Sequence, residues 1–209
     1  ETRPGAPALH RLLGISHLRL GNEALAVVSL TRALKANPYD GMSAAILGVF
    51  HLEKKMRERA EAYLTKACRM HPFSLLAHRS LGFLLLKSGR ANEAEVRLKQ
   101  AVNLSLRKPR TLRIWALALR KLGRRGEAIQ ALEESVRKKP KDYDAWMMLG
   151  DLYMEKYGDK GSVKRSERLF HLAKRAYKRA LKIRPGDLKA KGRLHGLDPE
   201  EALSGFGKE

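Results

Sequence analysis

One cysteine, Cys68, is too few for an intramolecular disulfide or a cysteine metal cluster. Long apolar runs are missing as well. The longest, such as residues 81–86, fit a buried helix face and fall far short of the ~18 residues of a membrane span. Residues 1–7 lack the basic start and apolar core of a secretory signal. No HExxH, P-loop, GxSxG or paired-carboxylate arrangement is present. The expectation is a protein that is not an enzyme, with no cofactor and no metal. Acidic side chains are scarce: 22 stand against 43 basic ones, for a net charge of +21. Such an excess favours acidic partners, and it is spread through both halves of the chain. A soluble, cytoplasmic protein is expected, with a peripheral membrane position or the periplasm as alternatives.

A fixed step of 34 residues runs through the sequence. Gly14, Gly48 and Gly82 follow it, as do Ala26, Ala60, Ala94 and Ala128. Leu30, Leu64, Leu98 and Leu132 form a third ladder, and Ala33, Ala67 and Ala101 a fourth. Pro38, Pro72 and Pro140 share the step, with Leu106 in the missing place. Several ladders of one period mark a stack of supersecondary units. Small residues recur where two helices cross closely, and proline stops the second helix of a unit. Gly21, Gly89 and Gly123 lie between the two helices, where a left-handed turn is cheapest for glycine.

The pattern resembles the tetratricopeptide repeat, a helix–turn–helix unit. Trp146, Leu149, Gly150 and Tyr153 match its first-helix signature. The resemblance implies an all-α, right-handed α-solenoid of about five repeats with a C-terminal capping helix. After an extension at 1–6, repeats fall at 7–40, 41–74, 75–108, 109–142 and 143–187. Aligning Ala173, Tyr177, Ala180 and Pro185 with the second-helix pattern requires an insertion within 155–168. A capping helix and tail occupy 188–209, with a short helix expected at 199–203. Repeat four departs from the pattern with Trp115 and Ala116 in place of the usual Leu and Gly.

The resemblance also implies a non-catalytic scaffold that binds a protein or peptide in a concave groove lined by first helices. At two groove positions the chain carries Ile15 with Leu18, Val49 with Leu52, Phe83 with Leu86, and Leu117 with Arg120. Arg79, Arg110 and Arg113 are expected beside them, with Lys87 and Lys121 adding charge. A partner with apolar anchors and acidic neighbours would suit such a wall. The carboxylate clamp for chaperone tails, known in this family, needs asparagines that are absent here.

A second candidate surface is the cation-rich second helix of repeat five. Lys174, Lys178 and Lys182 form one row there, and Arg175 and Arg179 the next. It could contact an anionic membrane surface or an acidic protein, with nucleic acid the less favoured partner and self-association also open. A solvated face is the competing reading. His17 and His51 share a packing position in adjacent repeats, and Cys68 is expected to be packed and unreactive.

Overall fold

The computed structural model describes residues 6–157 and 163–197. Among these residues there are eleven α-helices and no strand. The chain divides into two compact units at Leu106. The first unit holds α1 (Ala6–Arg19), α2 (Glu23–Ala36), α3 (Gly41–Glu53), α4 (Arg57–Met70), α5 (Leu75–Lys87) and α6 (Ala91–Leu104). The second holds α7 (Pro109–Lys121), α8 (Arg125–Lys138), α9 (Tyr143–Tyr157), α10 (Val163–Ile183) and α11 (Leu188–His195).

Helices pack in pairs. In the first unit α1 packs on α2, α3 on α4 and α5 on α6; α2 then touches α3, and α4 touches α5. In the second unit α7 packs on α8 and α9 on α10, with α8 against α9 and α11 against α10. The glycine and leucine ladders meet inside the first three pairs. A Cβ on Gly14 would lie 2.6 Å from Leu30 Cγ, and one on Gly48 or Gly82 the same distance from Leu64 or Leu98. Each of those leucines is fully buried, worth about 1.5–3 kcal/mol apiece. In α9 the corresponding Gly150 faces Tyr177, whose ring carbon would lie 2.5 Å from a Cβ there. Its partner thus sits farther along the chain than in the other pairs. α10 is accordingly long, at 21 residues.

The turn inside each of the first four pairs is left-handed at one residue. Gly21, Gly89 and Gly123 take φ of 76°, 81° and 73°; Lys55 takes 61° at the corresponding place. The side chains of Asp40, Ser74 and Asp187 cap α3, α5 and α11 by accepting backbone N–H bonds. Pro109 opens α7, where its missing N–H costs nothing. Ala190 and Leu194 of α11 are buried, so this last helix covers apolar surface of α10. The helix expected at 199–203 lies outside the described residues, as does part of the expected insertion, at 158–162. No helix among the described residues is long and apolar enough to cross a membrane.

Candidate partner-binding site

The first helices of the first unit present a series of half-buried apolar side chains. Ile15 and Leu18 stand on α1, Val49 and Leu52 on α3, and Phe83 and Leu86 on α5. All six are partly open to solvent, whereas their helix neighbours Leu47, Leu81, Leu84 and Leu85 are buried. The alternation follows from helical periodicity: one stripe of each first helix faces its own second helix, and the adjacent stripe is left over. Leu18 and Val49 meet with Leu76 at a cleft of about 340 Å³. Glu23 and Glu53 also line it, and Glu23 holds Lys54 at 2.6 Å. Lys87 Nζ lies 5.5 Å from the centre of the Phe83 ring, close enough for cation–π attraction. Arg79, half-buried on α5, completes the set in this unit.

In the second unit Leu117 is half-buried on α7 and Arg110 is exposed at its start. Lys121 is exposed at the end of α7, whereas Arg113 and Arg120 have structural work instead. Arg113 donates to Asp142 at 2.5 Å and to Asp144 at 3.0 Å. Asp142 is buried and accepts the Ala145 amide at the start of α9. Arg11 does the same for Asp40 in the first unit, at 2.8 Å. Burial alone would push the Asp40 carboxyl up. Ser43 and Arg11 together outweigh that and hold it below its ordinary value. Arg120 is paired with Glu155. Arg113 and Arg120 therefore spend their charge on acidic groups of their own unit. Sequence reasoning did not join these acids to the arginines.

His51 and His78 pack in the interior. His51 is buried, stacked on Tyr63 with ring centres 5.4 Å apart, and its Nδ1 has no hydrogen-bond partner. Burial, with Arg59 adding to it, holds its pKa below the ordinary value. His78 Nε2 donates to the Pro72 carbonyl at 2.8 Å, and Trp146 Nε1 donates to that of Pro140 at the same distance. Both rings staple a first helix to the end of the preceding second helix. Cys68 is buried with Sγ 3.8 Å from His78 Nδ1; burial pushes its thiol up, Arg97 pulling weakly against it. A thiol held protonated is a poor nucleophile. Among the described residues no group of three potential ligands could hold a metal.

The cations of α10 gather on one side. Lys174, Arg175, Lys178, Arg179 and Lys182 line, with His171, a shallow depression whose lining among the described residues includes no carboxylate.

Two family models match the chain: a tetratricopeptide repeat over residues 11–74, and Tetratricopeptide Repeats-Sensor over residues 90–191. The chain belongs to the tetratricopeptide repeat family. No curated protein matches this tetratricopeptide repeat protein in sequence. Solved structures do match its fold. PilF of Pseudomonas aeruginosa superposes with a TM-score of 0.76 at 21% identity, covering 96% of this chain and 88% of its own. MamA from Desulfovibrio magneticus RS-1 gives 0.73 at 18%, covering 89% of this chain and 99% of its own. YrrB, described as a tetratricopeptide protein with an unusual peptide-binding site, gives 0.73 at 19%, covering 87% and 88%. By architecture this tetratricopeptide repeat protein is a protein–protein interaction scaffold.

Proposed function

We propose that the protein is a non-catalytic scaffold whose first unit holds an apolar segment of a partner protein on the face formed by α1, α3 and α5. One observation carries the reading: three successive first helices each leave two apolar side chains half-open in register, from Ile15 and Leu18 to Phe83 and Leu86. Apolar surface kept partly exposed in a series is surface to be covered. The cleft at Leu18 and Val49 is an entry point for one anchoring side chain, and Phe83 under Lys87 is a second. An amphipathic helix or an extended segment can engage such a wall through anchors at regular spacing. Lys87 favours an acidic residue near the second anchor. Arg113 and Arg120 are committed to their own acids, so the affinity rests on apolar contact. The peptide-binding site named for YrrB supports a peptide-sized ligand for this architecture.

The test is a fluorescence titration of labelled amphipathic peptides against wild type, Val49→Glu and Phe83→Glu. Each substitution buries a charge in the complex and should weaken binding at least about tenfold, the equivalent of 1.4 kcal/mol. Equal affinity for all three proteins removes the face from consideration.

A second reading rests on the α10 depression lined by cations and His171. Through Lys174, Arg175, Lys178, Arg179 and Lys182 the protein would dock on an anionic surface, lipid or RNA. Sedimentation with anionic vesicles and RNA shift assays at two salt concentrations test it, since counterion release makes such binding salt-dependent.

A further inference from the structure

The second unit contains a cleft of about 400 Å³ on the side of its second helices, between α8 and α10 and floored by α9. Its floor is apolar: Val136, Leu149, Tyr153 and Ala176 are all buried. Trp146 and Leu172 form half-buried walls. Arg137, Arg175 and Arg179 stand exposed on the rim. Among the described residues none of these three arginines is in an ion pair, while Arg107, Arg113, Arg120 and Arg124 in the same unit all are. The one acid of the lining, Glu133, accepts the Tyr153 hydroxyl at 2.6 Å.

The arrangement is peculiar to the fifth hairpin. The leucine ladder places Leu132 in the fourth hairpin, and Tyr177, against Gly150, takes that place in the fifth. In that register Gln130 and Glu134 of the fourth hairpin correspond to Arg175 and Arg179. Glu134 there is bonded to Arg107 and Lys138. The fifth hairpin thus replaces a glutamine and an already paired glutamate with two arginines facing an open apolar hollow. Arg175 and Arg179 also border the neighbouring cationic depression, so the positive rim continues along α10.

We propose that this cleft docks an acidic protein segment in which a bulky apolar side chain is flanked by carboxylates. The apolar side chain fills the hollow against Trp146, Leu149 and Leu172. The flanking carboxylates take the guanidinium groups of Arg137, Arg175 and Arg179, which bind carboxylates through paired N–H donors. A protein segment fits better than a bilayer because the apolar surface is recessed below the cations; lipid insertion needs protruding apolar side chains. The site is separate from the α1, α3 and α5 face, and it does not depend on that reading.

Trp146 reports on the cleft once the other tryptophan is removed by Trp115→Phe. The probes are a synthetic peptide of Asp and Glu around a central Leu-Phe pair, its analogue with Ala-Ala at the centre, and phosphatidylglycerol vesicles. The acidic Leu-Phe peptide should shift Trp146 emission saturably. Affinity should fall at least about tenfold with the Ala-Ala analogue, and again with Arg175→Glu combined with Arg179→Glu. Val49→Glu should leave it unchanged, which separates this site from the first-unit face. The proposal is overturned if Trp146 does not respond. It is also overturned if the Ala-Ala peptide or the charge-reversed protein binds as well, or if vesicles alone produce the saturable shift.

Discussion

Substituting Gly48 by Ala tests the packing rule on which the helix pairs rest. The new Cβ would lie 2.6 Å from Leu64 Cγ, 2.8 Å from Cδ2 and 3.1 Å from the Leu64 backbone nitrogen. Carbon atoms prefer about 3.5–4.0 Å, so the contact must open by roughly an ångström. Leu64 is fully buried and cannot swing out, and the nearby backbone nitrogen means α4 itself must move. Overpacking of this kind costs about 1–3 kcal/mol. Alanine gains back about 1 kcal/mol over glycine in a helix interior. Because α4 must move, the cost falls in the upper part of that range, about 2–3 kcal/mol, and the net expectation is a loss of about 1–2 kcal/mol. With a urea slope of about 2 kcal/mol/M, the midpoint followed by far-ultraviolet circular dichroism should drop by about 0.5–1 M at unchanged slope. Leu64→Ala alone should cost about 2–5 kcal/mol through its cavity. In the double variant the added methyl group has room, so the two losses should combine to at least about 1 kcal/mol less than their sum. A neutral or stabilising Gly48→Ala, or a strictly additive pair, would refute the contact.

Gly89→Ala is a contrasting case, because nothing lies within 4 Å of its Cβ position. At φ 81° only the backbone objects, and the midpoint should report a loss of about 1–2 kcal/mol. His51 links stability to pH. Burial lowers its folded pKa beneath the unfolded value of about 6.5, so its contribution is complete above that value and is lost as pH falls through the folded one. Urea midpoints should therefore fall between about pH 7.5 and 5.5. His51→Phe should shrink that fall, leaving the part due to His78, and gain about 1 kcal/mol at neutral pH by removing the unpartnered Nδ1. An unchanged pH profile would show that His51 carries no linkage. Arg113→Met should cost about 1–3 kcal/mol, because it leaves the buried Asp142 carboxylate only the Ala145 amide, while peptide binding to the first unit stays the same. Weaker binding at full stability would make Arg113 a ligand residue instead.

The helix pairing was legible because close crossings admit only glycine or alanine, and Gly48 against Leu64 repeats as Gly82 against Leu98. The half-open stripe was legible for the same reason, since register fixes which side of a helix Val49 and Phe83 occupy. The ion pairs were not read, although the signal existed. Arg11 meets Asp40, and Arg113 meets Asp142, at one common separation along the chain. A charged residue at a groove position looks like a ligand contact until its partner at the next helix start is paired with it. The cleft at Trp146 left no periodic trace, because it arises where the fifth hairpin departs from the step. Only the placement of α10 beside α8 and α9 shows that Arg175 and Arg179 overlook an apolar hollow.

Methyl-labelled nuclear magnetic resonance gives the most direct view of the α1, α3 and α5 face. Spectra of Ile, Leu and Val methyl groups would be recorded during titration with an amphipathic helical peptide carrying leucine anchors. Saturable shifts should concentrate at Ile15, Leu18, Val49, Leu52 and Leu86, while Val28 and Val96 on the second helices stay still. Shifts spread evenly over first and second helices, or confined to the second, would contradict the assignment of that face as the place where a partner is held.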